Sequence, residues 1–324
     1  MNTKILKPLI ISLTIFTALT FSSVGVTAPT FPTKPITIMC PWTAGGSTDL
    51  TSRMLAKRAT ELFGQPVIVE NKTGGGGFVA NAEVYNAAPA GYTLIVNASS
   101  TIVLAPHLRK APFDPWKMTP IMSYGVYPFT LAVKVDAPWK TIKEFVEFMR
   151  KNPGEVKMST SGPDAMENLA MFMLKDQEKL DFKLVPYEGG APAVAAALGG
   201  HTHAFIGVAE AIPHIREGRM RGLATFLSER MPGLPDIPTL KESGYDAVVE
   251  SRLSIYGPPG VPKEIVKKLE ETFRKAMDSE DFKKVCKTFE VTPSFYDNER
   301  IDKYHRDLSA KIRTILIKIG RIKE

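Results

Sequence analysis

The sequence is poor in the features that mark several common classes of protein. Its 324 residues include only two cysteines, which lie far apart, so neither a C-x-x-C pair nor a cysteine-based zinc set can occur. Its 41 basic residues outnumber the 34 acidic ones, but they are scattered and lack the aromatic-spaced basic stripe of nucleic-acid-binding proteins. No serine occupies a G-x-S-x-G elbow, the motif of many hydrolases. The sequence therefore favours neither a nucleic-acid-binding protein nor a metal- or serine-dependent enzyme.

Long apolar runs are confined to the first residues of the chain. Lys4 and Lys7 precede an apolar segment at residues 9–21, and a small-residue pattern ends at Ala28. Because the apolar segment is shorter than the ~20 residues that a membrane span needs, we interpret residues 1–28 as a secretory signal peptide. An uncleaved membrane anchor is the alternative. We expect cleavage after Ala28 and export to the periplasm.

The rest of the chain alternates short β-rich runs with helical patterns. The runs at residues 36–40, 67–70 and 92–97 predict strands, and helical patterns separate them. The same alternation continues over residues 129–226. Because strands that alternate with helices form βαβ units, this pattern predicts an α/β fold with largely parallel sheets.

Two β-like crossings divide this alternation into two series. One lies at residues 127–135 and the other at residues 248–256, and a helical tail follows the second. This arrangement predicts two lobes joined by a two-stranded hinge, with the tail returning to the first lobe. The predicted boundaries assign residues 29–126 plus 256–324 to the first lobe. Residues 127–255, hinge strands included, form the second.

The two cysteines and the one H-x-H pair have simple structural explanations. Cys40 ends an apolar strand and Cys286 lies on an apolar helical face, so we expect two buried thiols. A disulfide, which export would permit, is the alternative. His201 and His203 would face one side of a strand, as two metal ligands do. No third ligand motif accompanies them, so we interpret them as surface or turn histidines and expect no metal site.

Four strand-to-helix turns are unusually rich in glycine and hydroxyl residues. In an open α/β sheet, ligands bind beyond the carboxyl ends of the strands, where helix N-termini offer free backbone N–H groups. Glycine lets an anion approach those groups closely. Glycine could also serve each tight turn alone, but four such turns together indicate a ligand cleft. The turns are residues 42–49, 73–78, 159–162 and 187–191.

One of these turns contains a weak dinucleotide-binding motif. Gly75, Gly77 and Ala80 match the pattern G-x-G-x-x-A after a strand. The acidic residue expected about 20 residues further on is missing, because the next strand ends in Asn97 and Ala98. A nicotinamide cofactor is therefore not predicted.

Taken in order, the four turns resemble those of the Bug/TctC family, the periplasmic solute receptors of tripartite tricarboxylate transporters. Residues 41–49 match the family pattern P-aromatic-x-x-G-G-x-x-D, and residues 70–77 match E-N-[KR]-x-G-x-G-G. Residues 185–193 and 235–239 carry further family signatures. The resemblance covers essentially the whole chain beyond residue 28.

The resemblance implies a two-lobed periplasmic binding protein fold of type II, the Venus flytrap. Members of the family bind mostly small carboxylates, without a cofactor, for transfer to a membrane transporter. One ligand carboxylate is then held between the lobes by backbone groups and ordered waters. We therefore expect a monomeric receptor of a small organic carboxylate. The ligand-binding residues that the resemblance and the turns indicate are Trp42, Thr43, Ala44, Gly45, Gly46, Ser47, Thr48, Asp49, Gly76, Ser99, Ser100, Thr160, Ser161, Gly162, Tyr187, Gly189, Gly190 and Ala191.

The second-lobe turn departs from the family pattern. Where the family reads G-x-G-S-x-x-H-L, this chain has Asp164, Ala165 and Asn168 at the second glycine, the serine and the histidine. Glu188 stands where lysine is frequent. Acidic residues near an anion site either point outward or indicate a ligand with a cationic group, as an amino acid has.

Two alternatives to a transport receptor of a plain carboxylate stay open at this point. Trp42 offers a large apolar face that could stack on an aromatic ligand, and a sensory receptor could read an aromatic or amino-acid-like carboxylate. A secreted enzyme is the other alternative, which a catalytic dyad in the cleft would favour.

Overall fold

The computed structural model describes residues 31–323, so the predicted signal peptide and its cleavage site lie outside the described residues. The strands are, in chain order, β1 Ile36–Cys40, β2 Val67–Asn71, β3 Thr93–Ala98, β4 Thr119–Val126, β5 Thr130–Lys134, β6 Lys157–Thr160, β7 Lys183–Pro186, β8 Ala204–Gly207, β9 Met220–Thr225, β10 Arg252–Gly257 and β11 Thr292–Tyr296.

Helices connect most of these strands. They are α1 Ser47–Phe63, α2 Phe78–Tyr85, α3 Ser99–Val103, α4 Ala105–Leu108, α5 Ile142–Lys151, α6 Met166–Glu178, α7 Gly190–Leu198, α8 Ala211–Arg216, α9 Lys263–Ala276, α10 Glu280–Thr288 and α11 Asn298–Lys318, with a short 3₁₀ turn at Gly75–Gly77. None of the helices within residues 31–323 combines the length and the apolar character that a membrane crossing requires.

The strands form two sheets, as the two series of the sequence predict. The first sheet has the order β11-β4-β10-β3-β1-β2, and the second has the order β7-β6-β8-β5-β9. The pairs β1–β2, β1–β3, β6–β7 and β6–β8 are parallel, whereas β5, β10 and β11 pair antiparallel with their neighbours. The prediction of largely parallel sheets is therefore wrong. Strand β5, where the chain enters the second sheet, and β10, where it returns to the first, are antiparallel to the strands beside them. Strand β11 of the tail is antiparallel to β4.

The chain passes between the two sheets twice, and the two crossings lie side by side. It leaves the first sheet after Val126 and enters the second at Thr130, and it returns to the first sheet at Arg252. The backbone N–H of Tyr127 donates to the carbonyl of Ser251 at 2.9 Å. This two-stranded hinge and the two sheets confirm the predicted two-lobed α/β fold. We call the six-stranded sheet with its helices the first lobe and the five-stranded sheet with its helices the second. The division at residues 126 and 255 stays a prediction.

Helix α1 shows how the sequence directs the elements that position the loops. Leu55 and Ala59 repeat on its buried face and pack against the first sheet. The helix ends at Gly64, which adopts the left-handed conformation and donates its N–H to the carbonyl of Thr60 at 3.0 Å. Glycine accepts this conformation without steric cost, so Gly64 is a suitable end for the helix.

The C-terminal tail is not wholly helical. Strand β11 interrupts it between α10 and α11 and pairs antiparallel with β4 at the edge of the first sheet. This strand contains Pro293, which removes one backbone donor and is tolerated at a sheet edge. The sequence signal for a strand is therefore weak there, and the pairing with β4 decides the conformation.

The two cysteines are buried free thiols, as predicted. Burial raises the pKa of Cys40 and of Cys286 to about 12, so both stay protonated at neutral pH. His201 and His203 are exposed in a turn, also as predicted. The backbone N–H of Lys157 donates to His203 Nδ1 at 3.1 Å.

Candidate functional site

A pocket lies between the two lobes, where loops from both sheets meet. Its wall comes from the carboxyl ends of β1 and β3 in the first lobe and of β6, β7 and β8 in the second, which is where open α/β sheets bind ligands. Both hinge crossings also contribute. The cavity has a volume of about 30 Å³, so the lobes are closed around it. The residues that line it are Trp42, Thr43, Gly46, Thr48, Ala98, Ser100, Tyr127, Phe129, Ser161, Ala165, Met166, Glu167, Gly189, Gly190, Val208, Glu210 and Ser251.

The structure brings together about half of the residues that the sequence indicates. Those on the pocket wall are Trp42, Thr43, Gly46, Thr48, Ser100, Ser161, Gly189 and Gly190. Those outside it are Ala44, Gly45, Ser47, Asp49, Gly76, Ser99, Thr160, Gly162, Tyr187 and Ala191. The sequence reasoning missed Glu167, Glu210 and the hinge residues.

Glu210 joins the second lobe to the start of α1. It follows β8, and its Oε1 accepts hydrogen bonds from the backbone N–H of Ser47 at 2.9 Å and from Ser47 Oγ at 2.7 Å. The side chain is buried, and its Oε2 has no hydrogen-bond partner within residues 31–323. Burial raises the pKa of Glu210, while the two hydrogen bonds from Ser47 oppose the shift. The carboxylate of Glu210 therefore accepts a hydrogen bond from the backbone N–H of Ser47, which the family resemblance indicates as a ligand-binding residue.

Gly190 leaves room for Glu210 within the second lobe, and Gly189 allows the second lobe to approach Thr43 of the first. A Cβ on Gly190 would overlap the carboxyl group of Glu210. Gly189 has a φ of +129°, and a Cβ there would lie 2.8 Å from Thr43 Oγ1. Gly189 is therefore required for the turn and for contact between the lobes, and Gly190 is required for the position of Glu210.

Glu167 is a second buried acid on the pocket wall. It lies in the first turn of α6, and its Oε1 accepts from Ser161 Oγ at 2.5 Å and from the backbone N–H of Ser161 at 3.2 Å. Burial raises the pKa of Glu167 to about 7, and the negative charge of Glu210 adds to the shift. Among the seventeen lining residues there is no lysine, arginine or histidine.

Hydroxyl groups supply most of the other polar atoms of the pocket. The hydroxyls of Thr48 and Tyr127 hydrogen-bond to each other across the hinge side of the pocket. Thr43 Oγ1 is buried and has no partner within the described part of the chain. Ser100 lies at the start of α3 and is 6% exposed. The pocket thus combines buried acids with hydroxyl groups that can donate or accept.

Asp49 belongs to a structural cluster behind the first loop. Its Oδ2 accepts from the backbone N–H of Gly45, and its Oδ1 accepts from Arg53 Nε and Asn71 Nδ2, each at 2.9 Å. Burial alone would raise the pKa of Asp49, but these hydrogen bonds outweigh it and lower the pKa. Both carboxylate oxygens are therefore engaged within the protein.

Ser99 and Thr160 are also engaged away from the pocket. Ser99 Oγ lies 2.8 Å from His305 Nε2 and accepts from the backbone N–H of Arg252 at 2.9 Å. Thr160 Oγ1 donates to the carbonyl of Gly162 at 2.8 Å. These hydroxyls stabilise the hinge and the second-lobe turn.

The two acids that depart from the family pattern bridge the lobes at the rim. Asp164 forms an ion pair with Arg109 of the first lobe. Glu188 Oε2 accepts from the backbone N–H of Gly74 at 3.1 Å. Neither side chain lines the pocket. The acids that do line it are Glu167 and Glu210.

A larger groove of about 810 Å³ lies elsewhere, between α6, β7 and residues 319–321. Its charged side chains are solvent-accessible and pair with neighbours on the surface, as Lys175 does with Asp181 and Lys179 with Asp176. The pocket between the lobes is smaller, but its polar groups are buried and converge from both lobes. We therefore take the pocket between the lobes as the candidate site.

Comparison with known proteins agrees with this architecture. The model of the "Tripartite tricarboxylate transporter family receptor" matches residues 51–321. The chain is 33% identical over 297 residues to a "UPF0065 protein in gbd 5'region" of Cupriavidus necator, covering 91% of this chain and 90% of that protein.

Two solved structures are also similar. MatC from Rhodopseudomonas palustris with bound malate gives a TM-score of 0.83 at 27% identity, covering 88% of this chain and 100% of that chain. A second R. palustris protein, with adipate, gives 0.85 at 25% identity, covering 90% and 98%. The match to the family model extends over most of the chain, and both lobes are reproduced in these structures. The chain therefore belongs to the tripartite tricarboxylate transporter receptor family, a family of periplasmic solute-binding proteins.

Proposed function

We propose that this protein captures a small organic carboxylate between its lobes and presents the closed complex to a tripartite tricarboxylate-type transporter in the membrane. One observation carries the proposal: turns from the carboxyl ends of strands in both lobes meet around one buried polar pocket. The similar structures with malate and adipate indicate the ligand class.

The ligand carboxylate needs donors that the protein does not already use. Ser47 at the start of α1 is engaged by Glu210. Thr43 Oγ1 is free of partners within residues 31–323. The first N–H groups of a helix have no partner within that helix, and the nine-residue helix α7 begins on the pocket wall at Gly190. We therefore assign the ligand carboxylate to Thr43 and the start of α7.

Closure follows from the position of the hinge. The two adjacent crossings can absorb a rotation in a few dihedral angles while each lobe stays rigid. A ligand that contacts both lobes has a higher affinity for the closed state, and that difference shifts the population towards closure. In the closed state both lobes present one combined surface to a membrane partner. This role needs no catalytic group and no cofactor.

We assign the protein to the periplasm after cleavage of residues 1–28. Mass spectrometry of periplasmic material should find Pro29 as the first residue. An intact Met1 in the membrane fraction would contradict this assignment.

A thermal-shift screen over amino acids and small mono-, di- and tricarboxylates tests the proposed function. A ligand at 100 times its Kd stabilises the folded protein by about 2.7 kcal/mol, which raises the melting temperature by several degrees. The variant Thr43→Val keeps the shape of the side chain and loses its hydroxyl, so it should bind at least tenfold more weakly. Thr292→Val, at an exposed position of β11, is the matched control. Failure of every carboxylate to stabilise the protein would reject the function, and wild-type affinity in Thr43→Val would reject the site.

A further inference from the structure

We propose that the pocket selects ligands with a positively charged ammonium group, which Glu210 Oε2 accepts with Glu167 nearby. The inference rests on the proposed function and narrows its ligand class. The carboxylates that the receptor captures are then amino acids or related zwitterions, and plain di- and tricarboxylates are excluded.

The first observation is the unequal engagement of the two oxygens of Glu210. Oε1 accepts both donors of Ser47, whereas Oε2 is buried on the pocket wall with no hydrogen-bond partner in the described part of the chain. The residue as a whole is 7% exposed. A buried carboxylate oxygen without a partner is costly unless a proton, a hydrogen-bond donor or a cation compensates its charge. An ammonium group of a ligand is both a donor and a cation.

The second observation is the charge of the pocket wall. It contains two acidic side chains, Glu167 and Glu210, and no basic one among its seventeen residues. A dicarboxylate would bring two further negative charges into this buried space. An ammonium group would instead compensate the charge that is already there, since opposite charges interact most strongly where water is excluded.

The third observation is what fixes Glu210 in place. Both donors of Ser47 hold its carboxyl group against the start of α1, and Gly190 leaves the space that the carboxyl group occupies. The anion-binding end of α1 is thus filled from within the protein. The hydroxyl of Thr43 and the start of α7 stay available for the carboxylate of the ligand, and Gly190 at the start of α7 lies directly beside the carboxyl group of Glu210. A zwitterion matches this division of charge.

Isothermal titration calorimetry with matched pairs of compounds tests the inference. The pairs are succinate and aspartate, glutarate and glutamate, and butyrate and 4-aminobutyrate, which differ by one ammonium group. In at least one pair the ammonium-bearing member should bind at least tenfold more tightly. Glu210→Gln, which keeps the shape and removes the charge, should abolish that preference. Glu188→Gln removes a rim carboxylate outside the pocket and should retain it. The melting temperature of each variant without added compound shows that it is folded.

The possible outcomes distinguish a failure of the ammonium subsite from a failure of the carboxylate receptor. Equal or tighter binding of the plain carboxylates overturns the ammonium subsite and leaves the carboxylate receptor intact. A preference that persists in Glu210→Gln also overturns it. If no member of any pair binds, both the subsite and the carboxylate receptor are rejected for these compounds.

Discussion

Replacing Gly190 with alanine should open the protein without damaging either lobe. Gly190 is the first residue of α7, and alanine favours a helix more than glycine does. In the closed structure, however, the added Cβ would overlap the carboxyl group of Glu210. The side chain of Glu210, which belongs to the same lobe as Gly190, must then leave its place against Ser47, and the closed state loses the hydrogen bonds that join the lobes there.

The expected change in the closure equilibrium follows from the two hydrogen bonds that Glu210 loses. Glu210 Oε1 accepts from the N–H of Ser47 at 2.9 Å and from its Oγ at 2.7 Å. Hydrogen bonds to charged groups contribute about 1.5–3 kcal/mol each. At the lower value the closed state loses about 3 kcal/mol relative to the open state, or about 100-fold in the closure equilibrium.

Double electron–electron resonance, which measures the distance between two spin labels, reports on this equilibrium directly. Spin-labelled cysteines can replace Lys151 on α5 and Lys268 on α9, which are exposed on different lobes. Gly190→Ala should shift the distance distribution to longer values, with and without the carboxylate that stabilises the wild type best. Gly46→Ala is the matched control, because its Cβ would lie 3.5 Å from Glu210 Oε1, an ordinary contact. Identical distributions for Gly190→Ala and the wild type would refute the role of Glu210 in closure.

Three further predictions concern buried ionisable groups. Asp49→Ala should lower the free energy of unfolding by about 4.5 kcal/mol, the lower value for its three charged hydrogen bonds, and leave ligand affinity within about twofold; a large loss of affinity with unchanged stability would place Asp49 in the site instead. Burial raises the pKa of Glu167 to about 7 from 4.5, so the folded state binds more protons than the unfolded state between these values, and stability should fall by about 3 kcal/mol as the pH rises through them. Denaturant titrations at pH 5 and pH 8 should show this fall in the wild type and not in Glu167→Gln. Burial lowers the pKa of His305 to about 3, so its contribution to stability is present above pH 6.5 and is lost as the pH falls towards 3; His305→Gln should reduce that acid dependence, and an unchanged dependence would show that His305 is not its source.

The elements with strong local signals could be predicted from the sequence. Strand Ile36–Cys40 is apolar on both faces and is found with the predicted bounds. Helix α1 ends at Phe63, directly before Gly64, and glycine is a common helix-ending residue that can be read from the sequence. Strand β11 could not be predicted, because Pro293 weakens its local signal and only pairing with β4 forms it. The antiparallel direction of β5 and β10 could not be predicted either, because it depends on how the chain crosses between the two sheets.

The candidate site was predictable in position and only partly in composition. Glycine-rich turns at the carboxyl ends of strands identified the pocket wall around Gly46 and Gly190. Glu210 lies 163 residues from Ser47 in sequence, and their contact depends on how the lobes meet. The one sequence signal for Glu210 is an acidic residue in the short turn that follows β8. Glu167 follows the turn that departs from the family pattern, and its sequence position does not distinguish it from Asp164 as a residue that faces the pocket.

A crystal structure with the compound that stabilises the protein best tests the central claim most directly. We expect electron density for that compound between the lobes, with its carboxylate at Thr43 Oγ1 and the start of α7 and any ammonium group at Glu210 Oε2. Density in the groove between α6, β7 and residues 319–321, with the pocket between the lobes unchanged, would contradict it.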